Sequence, residues 1–237
     1  MNLEEGLQRS RNNESIDFLK FESLNKQDPL QKIVSSDKIV VAPIWTVPGD
    51  FEGEMYAEYI SKHPEYDGVY VRSELLQRLE MAAKSLPDPY KLVVRAGHRP
   101  IAVQKQLLKE CVADYKKENP GISDEEALEH ARDFVSDPEI ELPPHVCGAA
   151  VDVEIIDAST GKYLDFGTAI GDDNEKSFLY YSGLTDEQKN NRLVLTKAMI
   201  GAGFASCMTE WWHFSYGDQL WAWFYGERNS LYNPIDI

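Results

Sequence analysis

The sequence predicts a single α+β domain with a mostly antiparallel sheet, helices packed on one side of it and a metal cleft at the sheet edge. Three observations carry this. At 237 residues, 43% of them hydrophobic, the chain is long enough for one sizeable core and short enough to stay undivided. Short β-branched runs alternate with stretches of helical spacing, and the second half holds strand-like runs in close succession. Two compact clusters of imidazoles and carboxylates, His145 to Asp152 and Glu210 to His213, fall where strands are expected.

In chain order, residues 1–37 are polar and charged, with turn formers at Arg9 to Glu14 and Asn25 to Asp28, and read as a flexible or peripherally packed arm without assigned chemistry. The folded domain is expected over 38–237. Lys38 to Ile44 is a β-branched run ended by proline, a strand, and Trp45 to Gly53 turns on Pro48-Gly49. Ser73 is placed to cap a helix whose Leu75, Leu76, Leu79, Ala82, Ala83 and Leu86 recur at helical spacing until Pro87 and Pro89 stop it. Tyr90 to Ala96 reads as a strand that turns at Gly97 into a helix from Ile101 to about Lys117, which puts Arg99 at a strand-to-helix corner.

Ser123 and Glu126 form a capping-box pattern for a helix to about Val135, and Asp137-Pro138 and Pro143-Pro144 bracket a loop that delivers His145. Ala149 to Ile156 alternates as a strand carrying Asp152, followed by a hairpin turn at Asp157 to Gly161. Thr185 caps a helix containing Leu193, Leu195, Ala198 and Met199 that ends at Gly201 or Gly203. Strands over Phe204 to Met208 and Trp212 to Tyr216 flank a corner at Glu210.

Composition excludes several classes. A net charge of −16 repels nucleic acid and anionic membrane surfaces alike, so a small or cationic partner is expected. The N-terminus lacks the basic start and apolar run of a secretory signal, and no apolar stretch approaches a membrane span. Cys111, Cys147 and Cys207 are odd in number and far apart, which argues for a reducing compartment; the expected location is cytoplasmic.

The two clusters supply two imidazoles and two carboxylates, the ligand chemistry of a catalytic zinc site with a position left for water. With Arg99 in Gly97-His98-Arg99-Pro100 they provide ligands, a free carboxylate and a fixed cation, the parts needed for metal-assisted amide hydrolysis. His63 and His130 lack a ligand-like companion and read as structural. Cys147 reads as a bystander to His145. Glu154, on the same strand face as Asp152, reads as a supporting or solvent-facing acid.

The motifs Gly97-His98-Arg99-Pro100, His145-x6-Asp152 and Glu210-Trp211-Trp212-His213 together resemble the zinc D-alanyl-D-alanine dipeptidases, the VanX-like branch of the zinc D,D-peptidases. The likeness extends loosely from Phe51-Glu52-Gly53 to Tyr216, and the doubled tryptophan with Pro100 favours the dipeptidase branch over the D,D-carboxypeptidases. It implies one zinc per chain held by His145, Asp152 and His213, Glu210 as general base and Arg99 as the cation that stabilises the transition state. It also implies D-Ala-D-Ala or a similar short D-amino-acid dipeptide as substrate. Asp172, or Asp173 beside it, stands nearest the acid that neutralises the substrate ammonium, one register off the family's stretch, and Trp211 or Trp212 is expected to wall the pocket. Pro143-Pro144 replaces the family's hydroxyl residues, and His98 stands where tyrosine is common. The alternatives are a D,D- or L,D-carboxypeptidase acting on peptidoglycan stem peptides and a zinc-dependent binding module without turnover. Retention of both Glu210 and Arg99 weighs against the last.

Overall fold

The computed structural model describes residues 7–8, 16–47, 50–132, 135–172 and 174–235. Its main sheet has six strands in the order β2-β4-β5-β8-β7, with β6 pairing β5 off that path. These are β2 (Ile39–Val41), β4 (Tyr90–Ala96), β5 (Ala150–Asp157), β6 (Lys162–Tyr163), β7 (Ala205–Ser206) and β8 (His213–Ser215). Only β2 with β4 is parallel; the β4–β5, β5–β6, β5–β8 and β7–β8 pairs are antiparallel. A separate antiparallel pair joins β1 (Leu30–Lys32) to β3 (Tyr70–Arg72). The predicted α+β class and mostly antiparallel sheet are what the structure has.

Among the described residues, six α-helices with full bounds surround these strands: α1 (Phe51–Lys62), α2 (Ser73–Ser85), α3 (Ile101–Glu118), α4 (Asp124–Arg132), α5 (Asp186–Gly201) and α6 (Gln219–Tyr225). Alternation along the strands divides the sheet into two environments. Leu92 and Val94 of β4 and Val151, Val153 and Ile155 of β5 enter one core cluster with Leu75, Leu79 and Ala83 of α2 and Leu195 and Met199 of α5. The intervening positions carry polar groups: Asp152, and Glu154 in an ion pair with Arg95 at 2.5 Å. Burial thus seats α2 and α5 on one face and leaves the functional side chains on the other, where α1 and α3 bring Glu52 and Gln104 beside them.

Local chemistry accounts for most boundaries. Ser123 and Glu126 exchange the two reciprocal bonds of a capping box at the start of α4, and Thr185 and Gln188 do the same for α5. The predicted extension of α4 toward Val135 runs through residues 133–134, outside the described residues. Ser73 does not cap α2. It occupies the first helical turn, and the cap comes from a distant chain segment: the Asp28 carboxylate accepts from Glu74 N at 3.0 Å.

Helix α1 and strand β1 were not predicted, and neither were β3 and α6. Helix α1 begins where a turn on Pro48-Gly49 was expected; that turn lies outside the described residues. Asp50 caps α1 by accepting from Gly53 N at 2.7 Å. Gly53 lowers the helical signal of this stretch, yet a Cβ there would stand 2.6 Å from the Ile44 carbonyl oxygen, so the close approach of α1 to residues 44–46 demands it. Strand β1 lies within the polar N-terminal stretch, whose Ile33 is buried and whose Phe18 and Phe21 pack against the main core. The Arg9 to Glu14 stretch lies outside the described residues. Among the described residues no helix is long and apolar enough to cross a membrane.

Candidate metal centre and active-site cavity

The antiparallel register of β5 and β8 sets Asp152 directly opposite His213. Directly opposed residues on one face have Cβ atoms about 4.5–5.5 Å apart, so both side chains serve one point. The third member arrives from the loop before β5. Pro143 and Pro144 cannot donate through their nitrogens, and their carbonyls instead accept from Cys147 N and Ala149 N, both at 3.0 Å, which winds the chain tightly around His145. Gly148 completes that turn at φ 66°, and a Cβ there would meet the Leu30 side chain at 2.6 Å. Farther back, the Arg132 guanidinium holds Asp137 at 2.7 Å and anchors the loop.

His145, Asp152 and His213 form the cluster of metal-ligand type among the described residues; all three are buried, with their ligand atoms within 4.8 Å of one another. His145 Nε2 lies 3.2 Å from His213 Nδ1 and 3.4 Å from Asp152 Oδ2, and His213 Nδ1 lies 3.2 Å from Asp152 Oδ1. The opposite ring nitrogen of His145, Nδ1, sits 2.7 Å from the Gly97 carbonyl oxygen. That carbonyl can only accept, so Nδ1 carries the proton and Nε2 presents its lone pair to the cluster. Asp152 Oδ1 is buried without a hydrogen bond of acceptable geometry, an unmet acceptor in the midst of two imidazoles. Although burial disfavours its charge, the His145 and His213 rings hold the Asp152 carboxyl below the usual carboxylate range. His213 is pushed the other way: Asp152, Glu210 and Asp218 outweigh burial and raise it. Two imidazole nitrogens and one ionised carboxylate converging on one point, with Asp152 Oδ1 unsatisfied, fit a divalent cation such as zinc.

These three residues line a cavity of about 300 Å³ that also takes in Glu210, Arg99, Glu52, Asp50, Trp212 and Pro143-Pro144. Glu210 Oε2 stands 3.6 Å from His213 Nδ1, beside the ligand cluster. Arg99 is buried, and its guanidinium is fixed on two sides: Nε (3.0 Å) and Nη2 donate to Glu52 Oε1, while Nη1 donates to Gln104 Oε1 at 2.7 Å. The Arg99 backbone N–H donates to the His145 carbonyl at 3.1 Å, tying the strand-to-helix corner to the metal-ligand loop. Burial opposes the Arg99 charge, but Glu52 outweighs it and raises the guanidinium pKa.

Other predicted site residues are placed elsewhere. Asp172 is exposed and does not line the cavity; its Oδ2 accepts from Ala169 N at 2.9 Å, closing its own turn. Asp173 lies outside the described residues. Trp211 is not a cavity wall either. It stacks on Phe166 at 4.1 Å, donates to Thr168 Oγ1 at 2.8 Å and is only 2% exposed, whereas its neighbour Trp212 lines the cavity. Cys147 belongs to the hydrophobic core, where burial pushes its thiol up. His98 is buried away from the cavity between Tyr66 and the Ile235 carbonyl, which is 2.9 Å from Nε2. His63 and His130 stack on Tyr59 and Tyr115. Sequence reasoning missed Asp50, Glu52, Gln104 and Phe18 as cavity residues. The one available signal was the Asp50-x-x-Gly53 cap beside Phe51-Glu52-Gly53.

The chain is similar to several known proteins. A relative from Synechocystis sp. described as a D-alanyl-D-alanine dipeptidase is 29% identical over 204 residues, covering 76% of this chain and 80% of the relative. An Escherichia coli protein of the same description is 36% identical over 70 residues, 30% of this chain and 36% of that protein. The solved structure of VanYB in complex with D-alanine-D-alanine matches 68% of this chain and 80% of its own at 17% identity and a TM-score of 0.41. The family model for D-ala-D-ala dipeptidases of the M15 peptidases matches residues 70–232, so this chain belongs to that family.

Proposed function

We propose that this chain is a zinc-dependent dipeptidase that hydrolyses D-Ala-D-Ala or a similar short D-amino-acid dipeptide. The observation that carries the reading is the meeting of a His145/Asp152/His213 ligand cluster with Glu210 and Arg99 in one small cavity. Its volume, about 300 Å³, is at the bottom of the usual range for ligand pockets and suits a dipeptide better than a cell-wall strand.

His145 Nε2, His213 Nδ1 and an Asp152 oxygen would hold the zinc. When bound, it supplies a Lewis acid that brings the pKa of a water ligand to about 7 and polarises the scissile carbonyl. Glu210, at the edge of the ligand cluster, accepts a proton from the attacking water and returns it to the leaving amine nitrogen, so one carboxylate serves both halves of the reaction. Arg99 offers N–H donors to the negative charge that grows on the carbonyl oxygen as the carbon becomes tetrahedral. Glu52 and Gln104 keep that guanidinium in place before substrate arrives, so no reorganisation is needed at the moment of reaction. Asp152 stays ionised because the two imidazoles hold it so, and the pinned His145 Nδ1–H keeps the ring in its metal-binding tautomer.

The carboxypeptidase alternative draws on one observation: Asp172, the acid expected to meet a substrate ammonium, is exposed and does not line the cavity. The deciding experiment measures alanine release by the zinc-loaded protein from D-Ala-D-Ala, L-Ala-L-Ala and a pentapeptide ending in D-Ala-D-Ala. Preference for the free D,D-dipeptide is expected. Faster cleavage of the pentapeptide would move the function to the carboxypeptidase reading, and no release from either would sink both.

A further inference from the structure

A dipeptide differs from the end of a longer peptide by one feature, a free ammonium, and an enzyme that selects dipeptides needs an anion placed to receive it. Of the acids lining the cavity, Asp152 and Glu210 belong to the metal centre, Glu52 is committed to Arg99, and Glu141 is hydrogen-bonded to Ser136 on its own loop. Asp50 has no ion-pair partner among the described residues. Its Oδ1 caps α1 through Gly53 N, and its Oδ2 faces the cavity segment Ile170–Gly171: a Cβ on Gly171 would lie 3.9 Å from that oxygen.

That segment belongs to the same loop as Asp172. Asp172 is exposed and closes its own turn, and Ile170 packs against the cluster of Ile44, Tyr56 and Val103. The loop thereby brings its glycine, not its acid, to the cavity wall, where Gly171 leaves room beside Asp50. We propose that Asp50 is the residue that binds the substrate ammonium and so sets the preference for a free dipeptide. This rests on the dipeptidase reading above. Burial and the neighbouring Glu52 and Glu54 push the Asp50 carboxyl up despite the bond from Gly53 N, and a cation at Oδ2 relieves that cost.

The test compares kcat and KM for D-Ala-D-Ala and N-acetyl-D-Ala-D-Ala in the wild type, Asp50→Asn, Asp50→Ser and Asp172→Asn. Asparagine and serine are both good N-caps, so either replacement removes the charge and keeps the start of α1. Asp50→Asn is expected to raise KM for the free dipeptide about 10- to 100-fold, the range for one lost charge-assisted hydrogen bond, and to leave the acetylated form unaffected. Asp172→Asn is expected to keep the wild-type preference. A wild type that prefers the free form and an Asp50→Asn that prefers it as strongly would overturn the assignment alone. Loss of preference in Asp172→Asn instead would return the role to that residue. A wild type that cleaves both forms equally would overturn the dipeptidase reading, and this assignment with it.

Discussion

Lysine in place of Arg99 keeps the positive charge and discards the planar fork. In the structure that fork is fully used on its protein side: Nε and Nη2 address Glu52 Oε1 and Nη1 addresses Gln104 Oε1, with the side chain only 9% exposed. A single ammonium can follow Glu52 or Gln104, but cannot span both and still face the cavity. Losing one oriented donor to a developing oxyanion costs about 2.7–4 kcal/mol, or about 10² to 10³ in kcat. At least one bond involving a charged group is also lost from a buried site, a stability cost of about 1.5–3 kcal/mol. For a chain of this length that lowers Tm by several degrees, at about 2–4 °C for each kcal/mol. Steady-state alanine release and thermal unfolding read the two effects separately. Glu52→Gln keeps an acceptor for Nε and should lose less, and because the two residues touch, the double variant should fall short of the sum of the singles. If Arg99→Lys lowered Tm as expected but kept kcat within about threefold of wild type, the reasoning would fail, since a donor to the transition state is worth more than that. Arg99 would then only pin α1 and the His145 loop together.

Glu210→Ala should still bind one zinc by metal analysis while kcat drops about 10²- to 10⁴-fold, the usual worth of a general base. His213→Ala should lose the metal, and the opposite pattern would reverse the two roles. Chelation should abolish turnover and lower Tm, with zinc restoring both, because a ligand that binds only the folded chain stabilises it; full activity in a metal-free preparation would refute the zinc reading. Burial lowers His98 from 6.5 to about 4, so the unfolded chain takes up this proton before the native one does. Stability present above pH 6.5 should therefore decline as pH falls toward 4, by about 3 kcal/mol if fully expressed. Urea midpoints across that interval check this, and a His98→Gln variant with an unchanged slope would show that other groups cause it.

What could be read from the sequence was what repeats or clusters along it. β4 matched its expected Tyr90 to Ala96, and Asp152 fell on a strand as expected, because β-branched alternation reports a pleat with one buried face. The ligand cluster was legible because each half is a short motif whose members sit a few residues apart. Illegible features depended on chain segments meeting across long separations. Nothing near Ser73 announces that Asp28, more than forty residues earlier, supplies the cap of α2. Of Trp211 and Trp212, contacts with Phe166 and Thr168, some forty residues earlier, hold the first ring out of the cavity that the second lines.

The acids make the same point at the site. By motif position Asp172 was the acid nearest the substrate, but one residue of register decides whether a loop carboxylate faces in or closes its own turn, and Asp172 is exposed, outside the cavity lining. Asp50 lies in the stretch expected to turn on Pro48-Gly49, and an aspartate two residues beyond a proline and three before a glycine is what a turn or a helix cap requires. An aspartate has two oxygens and a cap uses one. Once Oδ1 is spent on Gly53 N, where Oδ2 points is set by the loop that packs above it, and that loop presents Gly171. A residue assigned to structure by its sequence context is thereby left with a charged oxygen at the wall of the cavity.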